Sequence, residues 1–226
     1  MAAKTGKLKS LRLSTKPARE DLAALQIGNV VYLDGVVYTG REGVYQRAVE
    51  AGAALPADLQ ALSHVNFHCS PAASINDDGT FNLAAVTATA SFRFSKWMTR
   101  WFELSGAKII IGKGGMTAED YKTVFVPNGA VYLTTVGYGT GALLGRGVKR
   151  VRDVFWKDEL GLAQAIWVLE VENFGPFIVE SDLAGNSLFE RENAKIAANL
   201  SKVYEGTRPA ILHRYGESDD RSDEVI

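Results

Sequence analysis

The sequence has few of the residues that hold metals or form disulfides. Its 226 residues include one cysteine, Cys69, and three histidines, His64, His68 and His213. One thiol excludes a disulfide within the chain, and it excludes a metal or cluster site built from several thiolates of this chain. His64 and His68 fall on one face of a predicted strand, but no cysteine or carboxylate accompanies them at ligand spacing. A structural role is the better interpretation for them, and we predict no metal bound by this chain.

The sequence also lacks a long apolar run and an excess of charge of one sign. No stretch approaches the ~20 apolar residues of a membrane helix, and no secretory leader is visible. The net charge of -1 gives no electrostatic reason to expect nucleic acid or an anionic membrane as a partner. With 46% hydrophobic and 23% charged residues, the chain has the composition of a soluble globular protein. We expect a cytoplasmic protein with a sizeable core.

The pattern of apolar runs and turn residues predicts a layered α/β domain with a mixed sheet. Two β-rich runs, 30–33 and 36–39, flank Asp34-Gly35, which is the strongest short hairpin signal. Beyond this hairpin, strand and helix patterns alternate. One predicted helix covers 142–151.

No internal repeat and no flexible linker interrupts this pattern. We therefore predict one domain over residues 1–205. The last stretch, residues 206–226, is rich in charge and contains GESDDRSDEVI. Such a composition favours a flexible, solvated tail.

A single lysine, Lys113, lies between glycines at the end of an apolar run, in GAKIIIGKGGM. A nucleotide phosphate loop needs G-x-x-x-x-G-K-[ST]. Here Gly106 is one residue too far from the lysine, and Gly114 replaces the hydroxyl residue that would bind magnesium. The glycines at 137–141 are likewise spaced one residue short of a dinucleotide fingerprint, so tight packing is favoured over anion binding there.

Three cations, Arg41, Arg93 and Lys113, each follow a predicted strand at the point where the chain turns. Sites in α/β folds are assembled at such strand ends. A cation is poorly placed at a helix N-terminus, because the helix dipole favours negative charge there. An anion held by the side chain and free backbone N–H groups would complete the arrangement. Spacing alone leaves two interpretations open: an anion site or three solvated surface charges.

Five segments, in order, resemble the β subunit of iron–sulfur-dependent class I fumarases and L(+)-tartrate dehydratases. The family has GDVVYLSG-x-IYTARDAAHKR, GPTTS-x-RM and IGKG where this chain has GNVVYLDGVVYTGREGVYQR, TATASFRF and IIIGKGGM. Two later segments, GAVYLTTVGYGTGALL and DELGLAQAIWVLEVENFGPFIVESDLAGNSL, follow the family's closing stretch. The resemblance covers about residues 10–190.

The resemblance implies a swivelling β/β/α domain that supplies half of an active site. In that family a separate α subunit, or an N-terminal domain, carries three cysteines that hold a [4Fe–4S] cluster with one open iron. The implied protein is a hydro-lyase that is active only as a hetero-oligomer with the α subunit. It would add water to, or remove water from, a small hydroxy-dicarboxylic acid. No cluster would be bound by this chain.

The resemblance also assigns roles to four residues. Arg41 matches the arginine of the RD motif, Arg93 that of S-x-RM, and Lys113 the lysine of IGKG. These three are expected to bind the carboxylates of the substrate. Thr89 matches the first threonine of the TT pair, which is implicated in handling the C–H proton.

The chain departs from the family pattern beside these positions. Ala90 replaces the second threonine, Tyr45 replaces the histidine of RDAAH, and Gln164 replaces a glutamate. Three hypotheses therefore remain open. The chain is a hydro-lyase β subunit with an altered substrate site, or a catalytically silent paralogue that binds an anion or stabilises its partner, or a stand-alone small-molecule-binding domain.

Overall fold

The computed structural model describes residues 8–137 and 139–206, which form a mixed α/β fold. The predicted fold class is therefore confirmed. The chain divides into two units, Met1–Phe189 and Glu190–Ile226. Only helical and turn residues up to 206 are described in the second unit. His213 and nearly all of the predicted tail lie outside the described residues, so the boundary at 205 stays a prediction.

The strands are β1 (Ser10–Ser14), β2 (Val30–Thr39), β3 (Val65–Phe67), β4 (Cys69–Ile75), β5 (Phe81–Ala88), β6 (Ile109–Gly112), β7 (Val131–Thr135), β8 (Val148–Phe155) and β9 (Ile166–Ser181). Seven of them form one mixed sheet in the order β1-β2-β3-β6-β7-β9-β8. β1, β2, β3, β6 and β7 pair in parallel, whereas β9 runs antiparallel to its three neighbours β2, β7 and β8. Because β9 pairs with both β7 and β2, the strands β2, β3, β6, β7 and β9 close into a ring.

Short helices connect most of the strands. They are α1 (Arg19–Ala23), α2 (Glu42–Tyr45), α3 (Leu59–Leu62), α4 (Ser95–Ser105), α5 (Ala118–Asp120), α6 (Gly141–Gly147), α7 (Lys157–Leu160) and α8 (Leu188–Tyr204). Two of them, α2 and α5, continue as π-helical turns over Gln46–Glu50 and Tyr121–Phe125. Among the described residues, no helix combines the length and the apolar character of a membrane-spanning segment.

The predicted hairpin at Asp34-Gly35 is wrong, because β2 runs straight through it as one ten-residue strand. The pairing of β2 with β9 shifts register on both sides of Leu33, which is the signature of a β-bulge. Gly35 has a φ of 127°, and Asp34 accepts a hydrogen bond of 2.7 Å from the backbone N–H of Asn173 on β9. The Asp-Gly pair thus makes a bulge within a strand instead of a turn between two strands.

The helix predicted over 142–151 is also only partly right. α6 ends at Gly147 and the chain continues as β8. Val148, Val151 and Val154 recur every third residue, which imitates a helical stripe. In the strand this spacing is accommodated by two register shifts against β9. The local hairpin of the fold is β4–β5, and in its turn the N–H of Gly79 donates to the carbonyl of Asn76 (2.9 Å).

The sheet is buried on both faces, which explains the runs of consecutive apolar residues. In β6, Ile109 and Ile111 belong to one core cluster, while Ile110 belongs to the other. The second cluster is covered by α4, through Trp97 and Trp101. The carboxyl ends of the parallel strands β2, β3, β6 and β7 therefore meet at one edge of a rigid, doubly covered sheet.

Candidate functional site

At this edge, the residues after β5 lie between the ends of β3 and β6. The N–H of Thr89 donates to the carbonyl of His68 (2.8 Å), and the N–H of Lys113 donates to the carbonyl of Thr89 (3.1 Å). A further bond runs from the N–H of Ser91 to the carbonyl of Lys113 (3.3 Å). Backbone hydrogen bonds thus bring Thr89 and Lys113 together, although they are far apart in sequence.

Arg93 is joined to Thr89 directly. A single 3₁₀ turn, Phe92–Phe94, follows Ser91 and brings the arginine back over the threonine. Nη2 of Arg93 donates to Oγ1 of Thr89 at 2.9 Å. The guanidinium carbon also lies 5.6 Å from the centre of the Phe94 ring, a cation–π contact. The four-residue spacing between Thr89 and Arg93 therefore allows the two side chains to contact each other across one turn.

Lys113 lies in the loop that leaves β6, between buried Gly112 and exposed Gly114. Gly114 and Gly115 have φ angles of 84° and 100°, in the region that favours glycine. Lys113 lines two small cavities, of about 90 and 180 Å³. The larger of the two is also lined by Thr134 and Thr135 at the end of β7.

Arg41 stands at the same edge, at the end of β2. The N–H of Gly40 donates to the carbonyl of Phe67 at the end of β3 (3.0 Å), which fixes the position of the turn. Nη1 of Arg41 donates to the carbonyl of Ala163 (3.1 Å). The hydrogen bond of Arg41 is thus made to the loop before β9 and not to the Thr89–Arg93 turn. Within the described ranges, neither Arg41 nor Arg93 takes part in an ion pair.

A buried polar cluster lies beneath these residues, and sequence reasoning did not identify it as a unit. Nδ1 of His68 is 2.7 Å from Oγ of Ser91, and the hydroxyl of Tyr132 donates to the same oxygen at 2.7 Å. Burial lowers the pKa of His68 to about 3, so the imidazole is neutral near pH 7. Ser91 has a signal in the sequence, since it lies midway between Thr89 and Arg93. Tyr132 has none, because it looks like any residue of a buried strand.

The positions that depart from the family pattern lie just behind the edge. Tyr45 is fully buried, and its hydroxyl donates to Oδ1 of Asn66 at 2.9 Å. Gln164 accepts a hydrogen bond from the N–H of Gly43 (2.7 Å) through Oε1 and so anchors the start of α2. Ala90 pairs with Lys113 through the backbone. These three residues support the site's framework in this chain.

Among the described residues, His64, His68 and Cys69 do not assemble a metal site. His64 and His68 lie at opposite ends of β3, and the described residues include no cluster of three or more metal-ligating side chains. Cys69 is buried, and burial raises the pKa of its thiol, an effect that the charge of Arg41 only partly opposes. A buried neutral thiol is a poor metal ligand.

Two other features of the sequence have structural explanations. Gly141, at the end of the glycine run, packs on β5, where an added Cβ would lie 2.9 Å from Oγ1 of Thr87; this agrees with the tight packing predicted there. A cavity of about 440 Å³ lies at the opposite, amino-terminal edge of the sheet, where His64 and Lys108 line it. None of the four predicted site residues lines that cavity.

Comparison with known proteins bears on the resemblance seen in the motifs. The sequence model of the family described as "Fumarase C-terminus" matches residues 1–192.

The chain belongs to the fumarase C-terminus family.

Relatives of known name fall in the same group. An archaeal protein from Methanocaldococcus jannaschii, provisionally named L(+)-tartrate dehydratase subunit beta, is 37% identical over 192 residues, or 83% of this chain and 95% of that protein. The L(+)-tartrate dehydratase subunit beta of Escherichia coli K12 is 32% identical over 82% of this chain and 89% of its own length. A protein of Geobacillus stearothermophilus, provisionally named fumarate hydratase class I, is 27% identical over 91% of this chain and 38% of its own length.

The family match includes Arg41, Thr89, Arg93 and Lys113, and it ends within α8. The predicted membership is thus confirmed for the core of the chain. The individual roles of the four residues stay predictions, and so does the partner that the names of the β-subunit relatives imply.

Proposed function

We propose that this chain is the β subunit of a hydro-lyase that adds water to, or removes water from, a small hydroxy-dicarboxylic acid. The names of its relatives support this reaction class. The observation that carries the proposal is the constellation of Thr89, Arg93 and Lys113, which backbone hydrogen bonds and the Arg93–Thr89 bond hold at one edge of the sheet.

The cations bind the carboxylates of the substrate. Lys113 offers a point charge beside two small cavities, and Arg93 offers a planar fork that matches a carboxylate. Arg41 follows β2 at the same edge of the sheet. It is placed to bind a second carboxylate or to form the border of the site. Fixing a dicarboxylate at both ends aligns its C–H and C–O bonds with the reacting groups.

Thr89 handles the proton of the C–H bond. Its Oγ1 accepts a hydrogen bond from the cationic Arg93, which leaves the threonine O–H proton directed elsewhere. The positive charge also stabilises an oxygen that loses its proton. Thr89 is half-buried, so its environment is partly shielded from water even in this chain alone.

The cluster that the family implies fits a partner better than this chain. A [4Fe–4S] centre with an open iron needs three thiolates, whereas this sequence has one cysteine, which is buried and protonated. We propose that the cluster is held by three cysteines of an α subunit. When bound there, it would supply a Lewis acid for the departing hydroxyl.

The surface around the site suits such a partner. Two apolar side chains beside it are well exposed: Phe92 (63%), which precedes Arg93, and Val136 (41%), which follows Thr135. A partner that covered them would also exclude water from the cations, which strengthens their interaction with a dicarboxylate. We therefore propose a hetero-oligomer in which the α subunit closes the site.

A second candidate is a catalytically silent subunit that binds an anion or stabilises its partner. Tyr45 favours it, because this residue replaces the histidine of the family motif and its phenol is fully buried against Asn66, out of reach of a ligand. Ala90, which lacks the second threonine hydroxyl, points the same way.

The test is anaerobic co-purification of the full chain with its α subunit, followed by a screen of hydroxy-dicarboxylates for water loss and of the matching alkenes for hydration. The complex should turn over at least one compound, and the isolated chain should turn over none. Lys113→Ala should lower kcat/KM by about 10–100-fold, the loss of one charge-assisted contact. Arg150→Ala, which removes an exposed arginine paired with Glu170 on the sheet, is the matched control. Turnover by the chain alone, or an inactive but intact complex, would contradict the proposal.

A further inference from the structure

A directed chain of hydrogen bonds runs beneath the site through three fully buried side chains. Tyr132 donates to Oγ of Ser91 (2.7 Å). Ser91 in turn lies 2.7 Å from Nδ1 of His68. Because Oγ of Ser91 already receives the tyrosine proton, its own proton goes to Nδ1, which a neutral imidazole can offer as an acceptor. The ring proton of His68 then lies on Nε2.

The surroundings of His68 are consistent with this direction. The ring is 4.9 Å from that of Phe94 and 5.7 Å from that of Tyr45, both in perpendicular arrangements. Nε2 is buried and finds no conventional hydrogen-bond partner among the described residues. Aromatic faces are weak acceptors for an N–H group. Because its pKa is low, His68 is neutral, and this series of hydrogen bonds requires the neutral form.

This series of hydrogen bonds connects the two segments that carry the proposed site. Ser91 lies midway between Thr89 and Arg93, and its N–H donates to the carbonyl of Lys113 (3.3 Å). Gly112 makes the connection possible, because a Cβ at that position would lie 1.9 Å from Oγ of Ser91 and 2.5 Å from the hydroxyl of Tyr132. The absence of a side chain at Gly112 is therefore a requirement of the hydrogen-bond chain.

The Lys113 loop has a second buried anchor. The N–H of Met116 donates to the hydroxyl of Tyr121 at 2.8 Å. A Cβ added at Gly115 would lie 2.8 Å from that hydroxyl and 3.5 Å from the carboxyl carbon of Glu180, a fully buried residue whose Oε1 accepts from Ser187 at 2.6 Å. The backbone after Lys113 is thus also held by a buried tyrosine, at Met116.

We propose that Tyr132, Ser91 and His68 are positioning residues that set the placement of Lys113 relative to Thr89 and Arg93. This inference rests on the proposed function. Buried neutral hydrogen bonds add little net stability, so their specific contribution is a fixed geometry. A shift of the loop by about 1 Å is enough to lower a rate about 100-fold.

The activity test uses the assembled complex with Tyr132→Phe, Ser91→Ala and the double variant. Each single change should lower kcat/KM by about 10–100-fold, with most of the Tyr132→Phe effect in KM, because Lys113 binds and Thr89 reacts. The kcat/KM of the double variant should be no more than about threefold below that of the poorer single variant, since both changes break the same series of hydrogen bonds. Tyr38→Phe is the control, because Tyr38 is a buried tyrosine of β2 that takes no part in these hydrogen bonds. Its kcat/KM should stay within about twofold of wild type. Single variants with wild-type kcat and KM, or losses that multiply, would overturn the proposal.

A second measurement needs no turnover and uses the full chain alone. Amide exchange at Lys113, whose N–H donates to the carbonyl of Thr89 (3.1 Å), should become at least about tenfold faster in Tyr132→Phe, while the amides of Ile109–Ile111 stay protected. Nitrogen-15 NMR should find the proton of His68 on Nε2, with a changed Nδ1 shift in Ser91→Ala. An unchanged Lys113 amide, or a proton on Nδ1, overturns the proposal. If both signatures appear but the complex turns over no dicarboxylate, it is the proposed hydro-lyase function that fails.

Discussion

Gly112→Ala tests the packing beneath the site without any partner. The new methyl carbon would lie 1.9 Å from Oγ of Ser91 and 2.5 Å from the hydroxyl of Tyr132, distances that no real contact reaches. The serine must therefore rotate away, which breaks its hydrogen bonds to His68 and to Tyr132. Two lost hydrogen bonds, with buried groups left unsatisfied, amount to about 2–4 kcal/mol.

Urea unfolding of the isolated chain measures this loss. The free energy of unfolding should fall by that amount with an unchanged m-value, and Tm should fall by about 5–15 °C for a chain of this size. Gly139→Ala is the matched control, because nothing lies within 4 Å of its added Cβ; it should change stability by less than about 0.5 kcal/mol. Gly112→Ala combined with Ser91→Ala should lose less than the sum of the two single changes. A Gly112→Ala chain as stable as wild type would refute the reasoning.

Three further predictions concern acid stability, the proton transfer and the cluster. The folded-state pKa of His68 is about 3, below its ordinary value of 6.5. Its neutral form therefore favours folding above pH 6.5, and this contribution, at most about 5 kcal/mol, is lost as the pH falls towards 3. His68→Gln should flatten the curve of unfolding free energy against pH in that window, and an equally steep curve would contradict the assignment. Thr89→Ala should lower kcat of the complex steeply while KM stays near wild type, whereas a small effect confined to KM would give Thr89 only a binding role. The isolated chain, reconstituted anaerobically, should hold far less than stoichiometric iron and sulfide, because Cys69 alone cannot supply three thiolates; stoichiometric cluster would contradict a partner-borne cofactor.

Patterns confined to one element were largely readable from the sequence. Trp97, Met98 and Trp101 recur at helical spacing, and α4 ends at Gly106 in the left-handed region as such a pattern indicates. The β2 and β8 errors have one cause. A bulge changes the meaning of Asp34-Gly35 and of the valine spacing in β8, and only the pairing with β9 reveals a bulge.

The site shows the same division. The positions of Arg41 and Lys113 after β2 and β6 were readable, because parallel strands bring their carboxyl ends to one edge. Arg93 follows β5, which pairs with β4 outside that sheet, so the strand-end rule does not account for its position. The hydrogen bond from Arg93 to Thr89 was not predicted, because it depends on the 3₁₀ turn that follows Ser91. Tyr132 was not readable, because its role depends on the room that Gly112 leaves on a neighbouring strand, and a single sequence does not record which strands are neighbours.

The central claim is that this chain binds the carboxylates of a dicarboxylate for a hydro-lyase. Its most direct test is the ratio of kcat/KM for the hydroxy-dicarboxylate substrate to that for the matching hydroxy-monocarboxylate, measured on wild-type and Lys113→Ala complexes. The ratio should fall at least about tenfold in the variant, because the lost cation interacts with a carboxylate that only the dicarboxylate has. An unchanged ratio would mean that Lys113 does not bind the substrate carboxylate, and the account of the site would be wrong.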